Sequence, residues 1–468
     1  MRIFEVLKRQ RNCFFLDSSL NSNPLGRYSF LGIDPFYVLE SKNQSAFASA
    51  RGGSALGGKA SADCPPKRCE GGQNPFSKLR ETLGCYKISL PRNNLPFLGG
   101  AVGYLSYDLG LILEKKVNIK PKTDLGIPDC FFAFYNTVII IDHLKKLLYI
   151  FSVGFPEKNY RLAKLLSESN FKKIYNLLSK TEIPQSYKKI NKSQTAQLNS
   201  NFTKEEYLSA IKIAKEYIRK GDIYQVNLSQ EFMVESSLSS FEIYRRLRKL
   251  SPSYFSAYID VSDFQILSSS PERFLKLEGD TVTTRPMKGT RPRSKNRLKD
   301  LRFKKDLLAS AKDKAELTMI VDLERNDLGR VCNYDSVRVS ALRELEEYST
   351  VFQTTATVEG RLHKDRDRID LLRACFPGGS ITGCPKIRAM EIIEELEPNR
   401  RSIYTGCLGY LSFSGGMDFN ILIRTILKKD NQLYFGVGGG IVADSKPEDE
   451  YEETLVKARA MIEAINAL

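Results

Sequence analysis

Apolar residues along this chain recur mostly in short runs of strand length, separated by glycine, proline and charged residues. In the first third these runs fall at 14–16, 26–32 and 36–39 and predict short strands. The most apolar stretch, 137–155, is broken by Asp142, His143, Lys145 and Lys146. It therefore reads as a β-hairpin, since a membrane span needs roughly 18 or more apolar residues in a row. A short helix at 75–83 leads to a run from Pro96 to Asp108 whose glycines suggest a bulged strand packed against another backbone. Residues 42–74 are rich in Gly, Ala, Ser and Lys, with Pro65-Pro66, and read as a flexible insertion. The segment from 157 to 203 is helical at first and then polar, a connection to the second half.

The second half carries sharper signals. Thr203 with Glu206 three residues later is a capping box opening a helix that stops at Gly221. A strand at 223–232 follows, and its alternation puts Gln225, Asn227 and Ser229 on one face, which is either a solvated edge or a polar pocket. Strands at 254–260 and 265–268 precede a turn at Glu278-Gly279-Asp280, so Glu272 and Lys288, sixteen residues apart, come to the same end of a hairpin. Helices are expected at 299–322 and 448–467. These features predict an α/β chain of the α+β kind with extensive antiparallel sheet.

Composition narrows the class. At 468 residues and 42% hydrophobic content the chain is long enough for a large core. Nine cysteines without a Cys-x-x-Cys, and only two histidines, argue against a disulfide framework and a zinc site. The charged N-terminus lacks the apolar core of a secretory signal, which places the expected site of action in the cytoplasm, with no membrane association. The net charge of +16, with eight basic residues among 291–305, invites a nucleic-acid reading. No aromatic interleaving or nucleic-acid motif accompanies it, so no nucleic-acid partner is expected. The field serves an anionic small substrate equally well.

The candidate chemistry centres on Thr284-Arg-Pro-Met-Lys-Gly-Thr-Arg-Pro-Arg293. Two prolines fix φ around Lys288 while Gly289 lets the backbone approach a neighbour. The plainer alternative is a basic surface loop. Glu272 is either its salt-bridge partner or an acid beside a nucleophilic amine. Asp313 with Glu316, and Glu450 with Glu453, repeat an i, i+3 spacing on two helices. Either pair alone reads as a solvated face, but together they make an oxygen-rich site for a hard cation. Phe376-Pro-Gly-Gly-Ser-Ile-Thr-Gly-Cys-Pro-Lys386 is a compact turn opening a helix, with backbone N–H groups free for an anion, but it is not a Walker loop, because Cys384-Pro385 stands where Lys and Ser or Thr would be. Gly438, Gly439 and Gly440 on a strand imply close approach to the backbone, and Arg424 is placed to clamp a carboxylate.

Six motifs in order, Gly221-Asp-Ile-Tyr-Gln-Val-Asn-Leu-Ser229, Ser270-Pro-Glu-Arg-Phe274, Arg285-Pro-Met-Lys-Gly-Thr290, Met319-Ile-Val-Asp-Leu-Glu-Arg-Asn-Asp-Leu-Gly329, Pro377-Gly-Gly-Ser-Ile-Thr-Gly383 and Gly438-Gly-Gly-Ile-Val-Ala-Asp444, resemble the chorismate-utilising enzymes. Within these the pattern is closest to the aminodeoxychorismate synthase component I branch. The match is strong over about 201–460 and looser before 150, where it rests on Arg27-Tyr-Ser-Phe-Leu-Gly32 and the 99–108 run.

The resemblance implies a large antiparallel two-sheet β-sandwich with helices outside, as in anthranilate synthase component I. It divides the chain into an N-terminal region at 1–150, a connecting segment at 151–200 and a chorismate-binding catalytic region at 201–468. It makes Lys288 the nucleophile and Glu272 the acid, with Glu316 and Glu453 as Mg²⁺ ligands supported by Asp313 and Glu450. Gly289, Thr290, Tyr404, Arg424, Gly438, Gly439, Gly440 and Lys457 become the substrate-binding set. The implied reaction aminates chorismate to 4-amino-4-deoxychorismate, on the route to 4-aminobenzoate and folate. Its ammonia comes from a separate glutamine amidotransferase, because this sequence has no Gly-x-Cys-x-Gly elbow.

The alternative is anthranilate synthase component I, which usually has Ala where Lys288 stands and His where Gln353 stands. Isochorismate and salicylate synthases have a lysine where Gln225 stands. For Lys288 to attack near neutral pH its pKa must fall from about 10.4.

Overall fold

The structure, a computed structural model, describes the chain except at residues 9, 11, 21–23, 43–44, 51–73, 90–94, 115, 181–196, 262, 349–350 and 467–468. Two antiparallel sheets, each of eleven strands among the described residues, form its centre. The first runs Gly383–Cys384, Gln225–Glu235, Gln432–Ile441, Thr425–Lys429, Phe264–Ser270, Phe255–Asp260, Phe14–Asp17, Tyr28–Gly32, Thr137–Asp142, Leu147–Ser152, with Leu198–Ser200 against Gln225–Glu235. The second runs Met287–Pro292, Val351–Arg361, Thr281–Arg285, Arg273–Glu278, Met417–Ile421, Cys407–Ser412, Gly100–Leu105, Cys130–Tyr135, Tyr37–Lys42, Ser45–Ala50, with Arg338–Glu347 against Val351–Arg361. In both, strands from the two halves of the chain are neighbours: Phe14–Asp17 pairs with Phe255–Asp260, and Gly100–Leu105 with Cys407–Ser412.

The period-two alternation explains the layering. Phe14 points into the layer between the sheets, with Phe97, Tyr135 and Ile140, while the adjacent Phe15 points out to Phe4, Tyr244 and Tyr258. Helices Arg2–Leu7, Ser240–Leu250 and Pro447–Asn466 cover that outer face, contributing Phe4, Leu247 and Met461. Pro75–Cys85, Ala311–Gly329 and Arg368–Cys375 cover the far face of the second sheet through Leu79, Leu317 and Leu372. This is the expected two-sheet sandwich with helices outside. Among the described residues no helix is long and apolar enough to cross a membrane.

Several expectations need correction. The helix expected at 299–322 is two, Arg297–Ala309 and Ala311–Gly329, divided at Ser310, whose hydroxyl accepts the Asp313 N–H and caps the second. Arg343 donates to the carbonyls of Leu307 and Ser310 and satisfies the end of the first. The run at 96–108 is a strand that turns at Ser106 into the helix Tyr107–Leu113. Of the insertion expected at 42–74, Ser45–Ala50 is a strand pairing with Tyr37–Lys42, while 43–44 and 51–73 lie outside the described residues. Cys85 is disulfide-bonded, against the expectation from cysteine spacing, and Cys13, Cys130, Cys332, Cys375, Cys384 and Cys407 are free. The capping box at Thr203 and the hairpin turning at 279–280 stand as expected.

One buried ion pair ties the strand Gln225–Glu235 to the turn Gly379–Ile381. Arg401 and Glu397, with side chains 2% and 4% exposed, pair at 2.6 Å. Arg401 also donates to the carbonyls of Asn227, at 2.6 Å, and Ile381, at 3.0 Å. Glu397 accepts the backbone N–H and the hydroxyl of Ser229, both at 2.8 Å. Removing one partner leaves the other charge buried without compensation. Glu397→Ala is therefore expected to lower stability by about 3–5 kcal/mol, read from denaturant unfolding; a loss under about 1 kcal/mol would show that the pair is dispensable.

Candidate active site

Lys288 sits on the edge strand Met287–Pro292, whose register slips between Lys288 and Thr290. Gly289 forms the slip with φ +76°, and a Cβ there would lie 2.8 Å from Leu307 and 3.0 Å from Asp313 Cγ. Only glycine lets the strand pass beneath both helices here. The Lys288 ammonium donates to the Ser380 carbonyl at 3.3 Å. Its charge opposes the upward push of burial on the carboxyl pKa values of Glu272 and Glu316, and adds to the lowering that Lys457 chiefly causes in Glu453.

Glu272 is 4% exposed. Burial raises its pKa to about 6, against the opposing pull of the Ser380 hydroxyl, Lys288, the Met287 amide and Lys457. The Ser380 hydroxyl is itself buried without a well-formed hydrogen bond, though it stands close enough to act on Glu272. The hairpin thus brings acid and amine together, and burial tunes the acid toward neutral pH.

Two of the four acids on the two helices meet at Gly439, where a Cβ would lie 3.2 Å from Glu450 Oε2 and 3.8 Å from Glu453 Oε1. Lys312 lies 3.8 Å from Glu316 and 3.5 Å from Glu450, while Lys457 pairs with Glu453 at 2.7 Å. Asp313 is turned aside to Arg291 at 3.1 Å, and Glu450 also accepts the Ser445 hydroxyl at 2.6 Å. Burial raises the pKa of Glu316, whereas Lys457 chiefly lowers that of Glu453. Among the described residues no three acids stand close enough to hold an ion as they are. The donors fit a hard cation in kind, all being carboxylate oxygens, and a cation would have to displace Lys312 to draw Glu316 and Glu450 together.

The opposite wall is the glycine strand Gln432–Ile441. A Cβ on Gly440 would lie 2.6 Å from Gln225 Nε2 and 3.5 Å from Lys288 Nζ, so the close approach expected for these glycines is toward the site itself. The Lys457 ammonium donates to the Gly438 carbonyl at 2.8 Å. Gln225, Asn227 and Ser229 are 0%, 7% and 5% exposed, so their face is buried and is not a solvated edge. Both polar atoms of the Gln225 amide, together with Asn227 Oδ1, Gln353 Oε1 and Thr355 Oγ1, are buried without a hydrogen-bond partner. Such a concentration of unmet polar groups is what a polar ligand satisfies.

Arg424 adopts φ +50°, and no carboxylate pairs with it among the described residues; burial lowers its pKa, while Tyr348 and Glu272 oppose this. Tyr404 lies further along the glycine strand, where its ring fills the space a Gly436 side chain would occupy. Thr290 is exposed and accepts from Gln353 Nε2 at 3.2 Å. Sequence reasoning assigned no role to Ser380, Lys312 or Glu324. Ser380 and Glu324 each lie inside a quoted motif, but nothing in their spacing reports which neighbour they meet.

A chorismate binding enzyme family model matches residues 17–463. The chain is 39% identical to anthranilate synthase component 1 of Acetivibrio thermocellus, over 99% of its own length and 92% of the relative's. It is 36% identical to aminodeoxychorismate synthase component 1 of Bacillus subtilis, over 99% and 93%. The solved anthranilate synthase component I from Streptococcus pneumoniae superimposes with a TM-score of 0.80 at 31% identity, covering 95% of this chain and 93% of that one.

A raised carboxyl pKa in the folded state means stability that is present below the unfolded value and lost as pH rises through the folded one. Glu272→Gln should therefore match the wild type below about pH 4.5 and exceed it by about 2 kcal/mol above pH 7, from the rise to about 6. Denaturation midpoints measured across this range check it, and a variant less stable at high pH would contradict the burial argument.

Proposed function

The chain belongs to the family of chorismate-binding enzymes, and from that premise we propose that it converts chorismate and ammonia to 4-amino-4-deoxychorismate and water. One observation carries the reading: the amine of Lys288 shares a buried site with Glu272 and with the unsatisfied Gln225 amide. An alanine at 288 would leave this position open.

Chorismate carries two carboxylates and a hydroxyl that leaves poorly, so substitution needs charge neutralisation, an acid and a nucleophile. Lys457, Arg424 and the Gly438–Gly440 backbone form the wall against which the carboxylates bind, and Gly289, Thr290 and Tyr404 complete the binding set. Glu272, its pKa near 6, protonates the departing C4 oxygen. Lys288, after giving a proton to Glu272, attacks C2 of the ring and forms a covalent adduct, which divides one hard substitution into two easier ones. Ammonia then enters at C4, because the lysine occupies C2, and expels the amine. Glu316 and Glu453, with Asp313 and Glu450 behind them, would hold Mg²⁺, whose charge neutralises the substrate's ring carboxylate. Gln225 cannot act as a base, so addition of water at C2 is disfavoured. The component 1 naming of the relatives supports an amidotransferase subunit as the ammonia donor.

A second reading, anthranilate synthase component 1, is favoured by the names of several relatives. Lys288 separates the two, since ammonia addition at C2, the route to anthranilate, requires that carbon to be free.

Product analysis with chorismate, Mg²⁺ and ammonium salts tests the proposal. The wild type should form the 4-amino isomer, and Lys288→Ala should lose most of it and leak anthranilate. An intact-mass adduct on chorismate without ammonia should appear in the wild type alone. Unchanged rate and regiochemistry in Lys288→Ala would overturn the covalent route. Chelation of Mg²⁺, or Glu316→Gln and Glu453→Gln, should abolish turnover while leaving the fold intact; full activity in excess chelator would remove the cation from the scheme.

A further inference from the structure

The helix Arg297–Ala309 lies beside the candidate site with little apolar packing to hold it. Leu307 is its one buried residue, seated where a Cβ on Gly289 would come within 2.8 Å of it, while Leu298 and Leu301 face solvent. Polar contacts fix the helix instead. Arg293 pairs with Asp300 at 3.0 Å, Lys304 pairs with Glu347 at 2.7 Å, and Arg343 caps the last turn. These contacts seat it on the strand that carries Lys288.

Five other cations of the segment, Lys295, Arg297, Lys299, Arg302 and Lys305, are exposed, and among the described residues none of them is paired with a carboxylate. Lys299 rests over the Phe303 ring at 5.6 Å. Against these charges the helix sets one unpaired acid among the described residues, Asp306. The helix gains no stability from the excess. Lys299 and Arg302, like Arg302 and Lys305, stand three residues apart, and like charges at that spacing repel on a helix surface.

The candidate site opens to solvent at the end of this helix. Ser310 joins it to Ala311–Gly329, whose Lys312 is partly exposed, as are Glu453 and Lys457. Inside, Lys288, Lys312, Lys457 and Arg291 are offset by Glu272, Glu316, Glu450, Glu453 and Asp313, so the pocket itself exerts little long-range pull on an anion. Across the opening, the first turn of Pro447–Asn466 presents the acids Glu448 and Asp449. The positive field at the opening is therefore one-sided.

We propose that Lys295, Arg297, Lys299, Arg302 and Lys305 recruit the substrate dianion electrostatically and guide it into the opening beside their helix. The inference rests on the reading of chorismate, with its two carboxylates, as the substrate. Helical rise puts Lys305 about 3 Å and Arg297 about 15 Å along the axis from Leu307, the residue seated on Gly289. The Debye length is about 30 Å at 0.01 M salt and about 8 Å at 0.15 M, so charges at this range act on the opening in dilute buffer and are screened from it at higher salt. Several unit charges acting on a dianion there raise its local concentration about fivefold in dilute buffer. Ammonia, being neutral, is not drawn.

Lys295→Gln, Arg297→Gln, Lys299→Gln, Arg302→Gln and Lys305→Gln combined remove the field, keep helix propensity and leave every ion pair that anchors the helix. With Mg²⁺ and free ammonia held constant, the wild-type kcat/KM for chorismate should fall about fivefold as sodium chloride raises the ionic strength from about 0.02 M to about 0.3 M. The Gln variant should start near the high-salt value and change little, with kcat and the KM for ammonia unchanged. Glu at the same five positions should invert the slope. Arg297→Lys with Arg302→Lys should behave as the wild type, because a field needs charge and not a guanidinium. A Gln variant whose salt dependence parallels the wild type would overturn the recruiting role. Calorimetric binding of chorismate without ammonia gives a readout that needs no turnover: the wild-type Kd should rise about fivefold over the same salt range and that of the Gln variant should stay level. Wild-type binding insensitive to salt would also overturn the proposal. Salt-dependent binding without any 4-amino product would overturn the proposed reaction and leave the recruitment standing.

Discussion

The buried pair of Arg401 and Glu397 is the constraint on which the candidate site depends. Four of its hydrogen bonds reach backbone or hydroxyl groups of two separate elements, the strand Gln225–Glu235 and the turn Gly379–Ile381. The first carries Gln225 and Asn227, and the second carries the carbonyl that receives Lys288. A buried ion pair gains little net stability over an apolar replacement. What it does here is geometric: two planar charged groups, each fully committed, admit one arrangement of the strand and the turn. Burial alone would lower the pKa of Arg401, but the Glu397 carboxylate outweighs it and keeps the guanidinium charged.

Within the frame that this pair holds, charge is locally matched despite the chain's net +16. Lys312, Lys457, Arg291 and Lys288 stand among Glu316, Glu450, Glu453, Asp313 and Glu272. Arg424 is the exception, half-buried and unpaired with any carboxylate among the described residues, and an incoming carboxylate is the group that would complete it. The glycines at 439 and 440 are the other half of the design, because a side chain at either would occupy the space that separates the acids from the amine.

Both sheets are built from strands of both halves of the chain. Phe14–Asp17 next to Phe255–Asp260 and Gly100–Leu105 next to Cys407–Ser412 make each sheet continuous across the whole sequence. The inter-sheet core containing Phe14, Tyr104, Ile266 and Tyr410 draws on both halves, so the elements of the candidate site rest on strands far from them in sequence.

Local rules made much of this legible in advance. The alternation at 223–232, the capping box at Thr203, the turn at 279–280 and the i, i+3 acid pairs depend on contacts within a few residues, and each was found where the spacing put it. The break at Ser310 escaped because an i+3 cap competes with helix continuation, and the choice is tipped by Arg343, which arrives from a distant strand. The sequence by itself determined these local elements, the placing of Glu272 and Lys288 near one hairpin end and the family motifs. Only the tertiary structure decided that the Gln225 face is buried, that Asp313 is drawn off to Arg291, and that Glu324 is buried against Thr284. Burial, desolvation and partner choice arise from long-range packing, which local periodicity does not encode.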